Sequence, residues 1–211
     1  KGDFSEEAQE LSKQHPGRIE PKRSSRVIIA IPQEDECRGL FCACLPTEQE
    51  SGFPFHINAD FFPSNDRKRL NLSAGYEAEW NRAAIRAAAK TLAHHLEQLP
   101  ALLGHLSFWT LLESIKRVSD EAAKPGRESA LAAFWEDLSP RLQTAPIILT
   151  TLGEWTMPSQ CCLLSQKEEA AIIPLLEKFG LKIASEELRP YQVLLRSEAV
   201  GVSVLGIPAL C

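Results

Sequence analysis

The chain has 211 residues, 44% of them hydrophobic and 24% charged, which is the composition of a globular protein and excludes a disordered or fibrous one. Such a length predicts one large domain or two small ones, at about 100–200 residues each, with core enough to need no disulfide staples. A net charge of −5, from 23 Lys and Arg against 28 Asp and Glu, argues against broad phosphate-backbone binding, so no nucleic-acid partner is expected. It leaves room for a local basic patch.

The longest uncharged run, Gln98 to Leu112, is 15 residues and carries His105, too short and too polar to cross a bilayer, so no membrane partner is expected either. The first residues, Lys1-Gly-Asp-Phe-Ser-Glu-Glu7, have no apolar core of the kind a signal peptide needs. These features together predict a cytoplasmic protein. The chain opens at Lys1 without a methionine and stops at Cys211 inside an apolar stretch that begins at Val200. Natural termini are usually polar and exposed, so the expectation is a piece of a longer protein.

Residues 3–14 have helical spacing (Phe4, Ala8, Leu11) and stop at His15-Pro16-Gly17. A basic connector, Arg18 to Arg26, leads to the β-branched run Val27–Ile31, a buried strand closed by Pro32. An acidic turn at Glu34–Glu36 precedes a second strand, Gly39 to Leu45, which Pro46 and a polar loop to Gly52 close. In Phe53–Phe61 the odd positions are Phe, Phe, Ile, Ala and Phe, and the even ones are Pro54, His56, Asn58 and Asp60. Period-two alternation of this kind puts the aromatics on a core and the polar trio on the opposite face of a strand. After a turn rich in Ser64, Asn65 and Asp66 comes the basic triplet Arg67-Lys68-Arg69, and Leu70–Leu72 is expected to return as a fourth strand.

From Tyr76 the period changes. Trp80, Ala84, Ala87, Ala88, Leu92 and Leu96 predict a long helix that closes before Pro100. Further helices are expected at 105–118 and 127–142, separated by Lys124-Pro-Gly126. Pro146–Leu149 reads as a strand, Trp155–Leu164 as extended chain around Pro158, Lys167–Phe179 as a helix capped by Gly180, and Leu181–Ala184 as a short strand. Trp80, Trp109, Trp135 and Trp155 are expected in the core, and Glu77, Glu79 and Glu97 on the exposed side of the long helix. The order is β-rich at 27–72, helical at 76–142 and α/β at 145–200. It predicts an α+β fold in which 1–24 is an N-terminal helix and connector, 25–142 a sheet with a helical layer, and 143–211 a smaller α/β sub-domain.

Six cysteines (Cys37, Cys42, Cys44, Cys161, Cys162 and Cys211) include no C-x-x-C pair and no histidine at zinc spacing, so they read as core thiols and no metal site is expected. His94-His95 lacks a third ligand in the sequence. The chain contains no G-x-x-x-x-G-K, G-x-G-x-x-G, H-E-x-x-H or G-x-S-x-G motif, which removes the usual support for nucleotide, zinc-protease and serine-hydrolase readings. One constellation remains, from 56 to 69. His56, Asn58 and Asp60 share a strand face, and the turn beyond offers Asn65, Asp66, Arg67, Lys68 and Arg69. Two arginines and a lysine on a short polar loop suit a phosphate, since guanidinium makes bidentate, charge-assisted contacts to phosphate oxygens. The same residues also fit a solvated loop or a protein-partner patch. An autonomous hydrolase using His56 and Asp60 is a further alternative.

The run Gly52-Phe-Pro-Phe-His-Ile-Asn-Ala-Asp-Phe-Phe-Pro-Ser-Asn-Asp-Arg-Lys-Arg69, followed by Glu79-Trp-Asn81 opening an alanine-rich helix, resembles the segment after the ATP-binding domain of sacsin-like proteins. Those are relatives of the ninety-kilodalton heat-shock chaperones, with a GHKL-type ATPase. In them a pro-x-his-x-asn strand leads through a turn to an asn-x-arg-arg-like cluster and then a helix with glu-trp-asn. Leu149-Thr-Thr-Leu-Gly-Glu-Trp155-Thr-Met-Pro158 is similar to that family's thr-x-x-gly-x-trp-x-x-pro stretch, and the resemblance extends over about residues 25–195.

The resemblance implies a middle, transducer-like domain. The family's ATP site lies upstream, in a Bergerat-type domain whose asparagine–aspartate helix and D-x-G-x-G loop are not in this sequence. It implies that Arg67 and Arg69, with Lys68 between them, approach the ATP phosphates when the two domains close. Asn65, Asp66, His56, Asn58 and Asp60 would support that loop. No cofactor is then expected on this chain itself, while ATP with magnesium serves the full-length protein. The partners implied are the upstream ATP-binding domain of the same chain, a client protein and, in the full-length protein, a second copy. A non-enzymatic interaction module, docking a partner on the helical layer 76–142, is the competing expectation.

Overall fold

The computed structural model describes residues 2–32, 38–165 and 171–206; the acidic turn Glu34–Glu36, Cys37, Cys211 and the start of the helix expected from Lys167 lie outside them. The fold is α+β, as expected. It divides into two compact units, Lys1–His94 with Ser114–Leu138, and His95–Glu113 with Ser139–Cys211.

In the first unit the strands are β1 (Gly2–Asp3), β2 (Arg26–Ala30), β3 (Leu40–Ala43), β4 (Leu45–Glu50) and β5 (His56–Ala59), with helix α1 (Ser5–Gln14) between the first two. They form one sheet in the order β1-β2-β5-β3-β4, in which only the β3–β5 pair is parallel. β5 is central, so its alternation decides both faces. Phe53, Phe55, Ile57, Ala59 and Phe61 are buried, while His56, Asn58 and Asp60 are half-buried on the other side. Helix α2 (Gly75–His94) packs on β1, β2, β5 and α1. β1 and α2 approach closely: a Cβ on Gly2 of β1 would lie 1.9 Å from Thr91 Oγ1 of α2, so a larger residue there forces the Thr91 side chain to move. At Gly39 a Cβ would come within 1.9 Å of the Phe55 carbonyl oxygen. Phe134, at the start of helix α5 (Ala133–Leu142), closes this core, its ring 4.5 Å from that of Phe53 and 5.6 Å from that of Phe55.

The second unit takes in α3 (Leu99–Leu103), the first half of α4 (His105–Ala122), and two small sheets. β6 (Ile148–Leu149) pairs antiparallel with β7 (Trp155–Thr156). β8 (Cys161–Leu164) is flanked by β9 (Lys182–Ile183) on one side and β10 (Ser203–Leu205) on the other, all parallel. Helix α6 (Ile173–Lys178) links β8 to β9 and ends at Gly180, whose φ of 80° is the left-handed cap expected there. Helix α7 (Gln192–Leu195) lies between β9 and β10. Phe108, Trp109, Leu112, Leu142, Ile147, Leu188 and Leu195 are among its buried side chains. Among the described residues no helix is long and apolar enough to cross a membrane.

Several expectations change. Residues 46–50, read as a loop, belong to the strand β4; it is polar and holds Pro46 because it forms the sheet edge, where a missing N–H costs no ladder bond. Leu70–Leu72 is no strand, and only Leu70 forms an isolated bridge, to Pro63. The long helix closes before Pro100 as expected, but at His94, two residues short of the expected Leu96. The chain passes into a 3₁₀ turn at Leu96–Gln98, and Pro100 sits in the first turn of α3 (Leu99–Leu103), where its missing N–H costs no helix bond. Trp80 and Trp109 are buried, but Trp135 is half-buried beneath the Lys116 ammonium and Trp155 is exposed. Cys161 is buried and burial pushes its thiol up to about 12, Cys162 and Cys42 are half-buried, and Cys44 is exposed at a left-handed hairpin position.

Truncating Phe134 removes the ring that Phe53 and Phe55 share. Phe134→Ala is expected to cost about 3–5 kcal/mol, the range for a buried phenylalanine, as a lowered urea midpoint with an unchanged m-value.

Candidate functional site

The turn at 64–69 is built from its own polar groups. Asp66 Oδ1 accepts from the Ser64 hydroxyl at 2.6 Å and from the Lys68 amide at 3.1 Å, and Ser64 Oγ in turn accepts from the Arg69 amide at 3.1 Å. Backbone bonds from Arg67 N to Ser64 O (2.8 Å) and from Ser64 N to Arg69 O (2.7 Å) close the loop. The Ser64 hydroxyl and then the Lys68 amide hold the Asp66 carboxyl below the usual carboxylate range. Arg67 sits at φ 58°, a left-handed conformation that costs a non-glycine residue roughly 1–2 kcal/mol.

Below the turn, α2 grips the chain with three consecutive residues. Asn81 is fully buried; its Oδ1 accepts from Phe62 N at 2.8 Å, and its Nδ2 donates to Phe62 O at 2.8 Å and to Asn71 O at 2.9 Å. Trp80 Nε1 donates to Asp60 O at 2.9 Å. Arg82 donates to Leu72 O and makes a salt bridge to Glu128 at 3.1 Å.

The three cations differ in what they already hold. The Arg67 guanidinium turns back and donates to Ala43 O at 3.2 Å. Lys68 pairs with Glu48 at 3.1 Å, an exposed contact worth about 0–1 kcal/mol. Arg69 makes no side-chain hydrogen bond or ion pair among the described residues. It opens on a groove of about 550 Å³ that Gln49, Asn71 and Ser73 also line. Asn65, like residues 66–69, is exposed.

Two of the three polar side chains on the strand face, His56 and Asp60, are spent on structure. His56 Nδ1 accepts from Leu40 N at 3.1 Å. Asp60 pairs with Arg23 at 3.1 Å and accepts from Ser24 N at 3.1 Å. Four residues apart on one strand, His56 and Asp60 are separated by about 13 Å at 3.3 Å per residue, too far to work on one reacting atom. Asn58 Oδ1 is buried with no hydrogen-bond partner among the described residues. Arg23, which sequence reading left in a generic basic connector, is the brace of this region. Its guanidinium lies 3.5 Å from the centre of the Phe62 ring, donates to Asp60 O and Phe61 O, and is only 15% exposed. Its partners lie 37 and 38 positions along the chain, so no local pattern announced it. Among the described residues no three His, Cys, Asp or Glu side chains gather as a metal site would require.

No protein-family model matches the chain, and comparison with curated proteins and with solved structures gives no match. The chemistry therefore rests on the geometry: a backbone-fixed turn that offers one uncommitted guanidinium to an anion.

Replacing Asn81 by Leu leaves the Phe62 amide and the Asn71 carbonyl unpaired, at about 1–3 kcal/mol each, while the Phe62 carbonyl keeps its bond from Asn71 N at 3.1 Å. Asn81→Leu should lower unfolding free energy by at least about 2 kcal/mol and speed hydrogen exchange at the Phe62 amide. A depressed carboxyl contributes its stabilisation fully above its unfolded value near 4, and loses it as pH falls through the lower folded value. The Lys68 and Arg69 amide resonances are thus expected to hold down to about pH 4 and move together below it, and Asp66→Asn should abolish that acid step.

Proposed function

We propose that this chain is the middle, transducer-like domain of a chaperone-like ATPase of the GHKL type, cytoplasmic, and that it presents Arg69 to the nucleotide phosphates held by an upstream ATP-binding domain. The observation that carries this reading is the inequality of the three cations: Arg67 and Lys68 are engaged within the chain, while Arg69 is exposed and uncommitted on a fixed backbone. A guanidinium brought to a γ-phosphate stabilises the charge that builds during phosphoryl transfer, an effect of about 10³–10⁵ in rate for GTPase arginine fingers.

Asp66 and Ser64 fix where Arg69 leaves the backbone. Asn81, Trp80 and Arg82 tie that turn to α2, so a force on Arg69 is borne by the helix and not absorbed by a loose loop. Coupling of nucleotide state to a client or partner would run through this connection.

The chain alone is expected to show no steady ATP turnover. In the full-length protein, Arg69→Ala should lower the ATPase rate at least tenfold with little change in KM, whereas Lys68→Ala should leave it within about twofold, the scale of an exposed ion pair. An unchanged rate in Arg69→Ala, with partner binding lost on altering exposed positions of 76–142, would replace this reading with a non-enzymatic interaction module.

A further inference from the structure

The second unit holds a cavity that the basic turn does not use. β8 is the centre of the parallel sheet; the chain leaves it for β9 on one side and then crosses to β10 on the other. Where the winding of a parallel sheet reverses, the crevice outside the carboxyl ends of its strands is the usual place for a ligand. A cavity of about 70 Å³ lies there, at the ends of β8, β9 and β10.

Its polar lining includes Ser185, Glu186, Arg189, Gln192 and Arg196. Arg189 is half-buried and Arg196 exposed, and neither guanidinium makes an ion pair or a side-chain hydrogen bond among the described residues. Among the described residues Glu186 is the one acidic residue of the lining, and it forms no ion pair with either arginine. Two guanidinium groups and one carboxylate thus share the described lining, which leaves it with a net positive charge. The rest of the wall, Ile183 and Val204 among it, is apolar and lowers the local dielectric, which strengthens the field there.

We infer that this cavity binds the phosphoryl group of a small ligand, gripped between Arg189 and Arg196, with Ser185 and Gln192 as further donors. A water needs about 10–15 Å³ of such space, so the cavity has room for a tetrahedral oxyanion. Two guanidinium forks call for three or four oxygens; a carboxylate has two and fills only one fork. Inorganic phosphate and a small phosphate monoester share this chemistry. The inference is independent of the role proposed for Arg69.

The test is an amide chemical-shift titration of the 211-residue chain with inorganic phosphate, glycerol 3-phosphate and acetate at constant ionic strength. Phosphate should give saturable shifts at Ser185, Gln192 and their neighbours, and acetate should bind at least tenfold more weakly. Tighter binding of glycerol 3-phosphate would mark the ester as the preferred form, and equal or weaker binding the free anion. Arg189→Gln and Arg196→Gln should each weaken phosphate at least tenfold, while Arg69→Gln leaves these shifts in place. Arg196 is exposed, so Arg196→Gln decides the matter even where Arg189→Gln disturbs folding. Absence of saturable shifts at these amides, or undiminished affinity in Arg196→Gln, would overturn the inference.

Discussion

A single amide side chain organises the face of the first unit that carries the basic turn. Asn81 has no exposed surface, and it satisfies a backbone N–H and two carbonyls drawn from Phe62 and Asn71, the residues on either side of the loop. Buried backbone groups need partners, and the backbone bond across this loop, from Asn71 N to Phe62 O at 3.1 Å, leaves the Phe62 amide and the Asn71 carbonyl without one. The Asn81 side chain supplies both. No apolar residue could do so, and a carboxylate at the same place would set a negative oxygen against two carbonyls.

The neighbours of Asn81 extend the grip. Consecutive residues on a helix point about 100° apart, yet Trp80, Asn81 and Arg82 all reach backbone atoms between residues 60 and 72. The chain therefore wraps the first turns of α2 instead of resting on one side of it. Arg23 completes the enclosure from the opposite direction, stacked on Phe62 and bonded to the carbonyls of Asp60 and Phe61. Burial lowers its guanidinium from the ordinary arginine value, while the Asp60 carboxylate beside it opposes that shift.

Much of this was legible in the sequence wherever the physics is local. The alternation from Phe53 to Phe61 gave the correct buried and half-buried faces, and the three- and four-residue spacing from Tyr76 located α2. What failed to show was non-local. Leu45–Glu50 has the composition of a loop, and becomes a strand because β3 lies beside it as a partner. Asn81 was visible as part of the Glu79-Trp-Asn81 motif but not as a buried clamp, and Arg23 looks unremarkable in its own segment, since their partners stand 10 to 38 positions away. The triplet 67–69 was visible as charge. That its members split into one turned inward, one ion-paired and one unengaged depends on the left-handed Arg67 and on the edge strand carrying Glu48, neither of which charge alone reveals.

That split bears on what the turn can recognise. Four hydrogen bonds within 64–69 involve the backbone of Arg67, Lys68 or Arg69, so ligand binding at the Arg69 side chain need not order its main chain. The cost that remains is side-chain rotamer freedom, up to about 2 kcal/mol for an arginine. A single neutral hydrogen bond, worth about 0.5–1.5 kcal/mol net, does not offset it, whereas two charge-assisted bonds at about 1.5–3 kcal/mol each do. A lone arginine on a rigid turn is thus a filter: it stays in solvent beside neutral partners and becomes ordered only against a group with two acceptor oxygens and a negative charge. Lys68, held by Glu48 and without a planar fork, lacks that selectivity even though it stands one residue away.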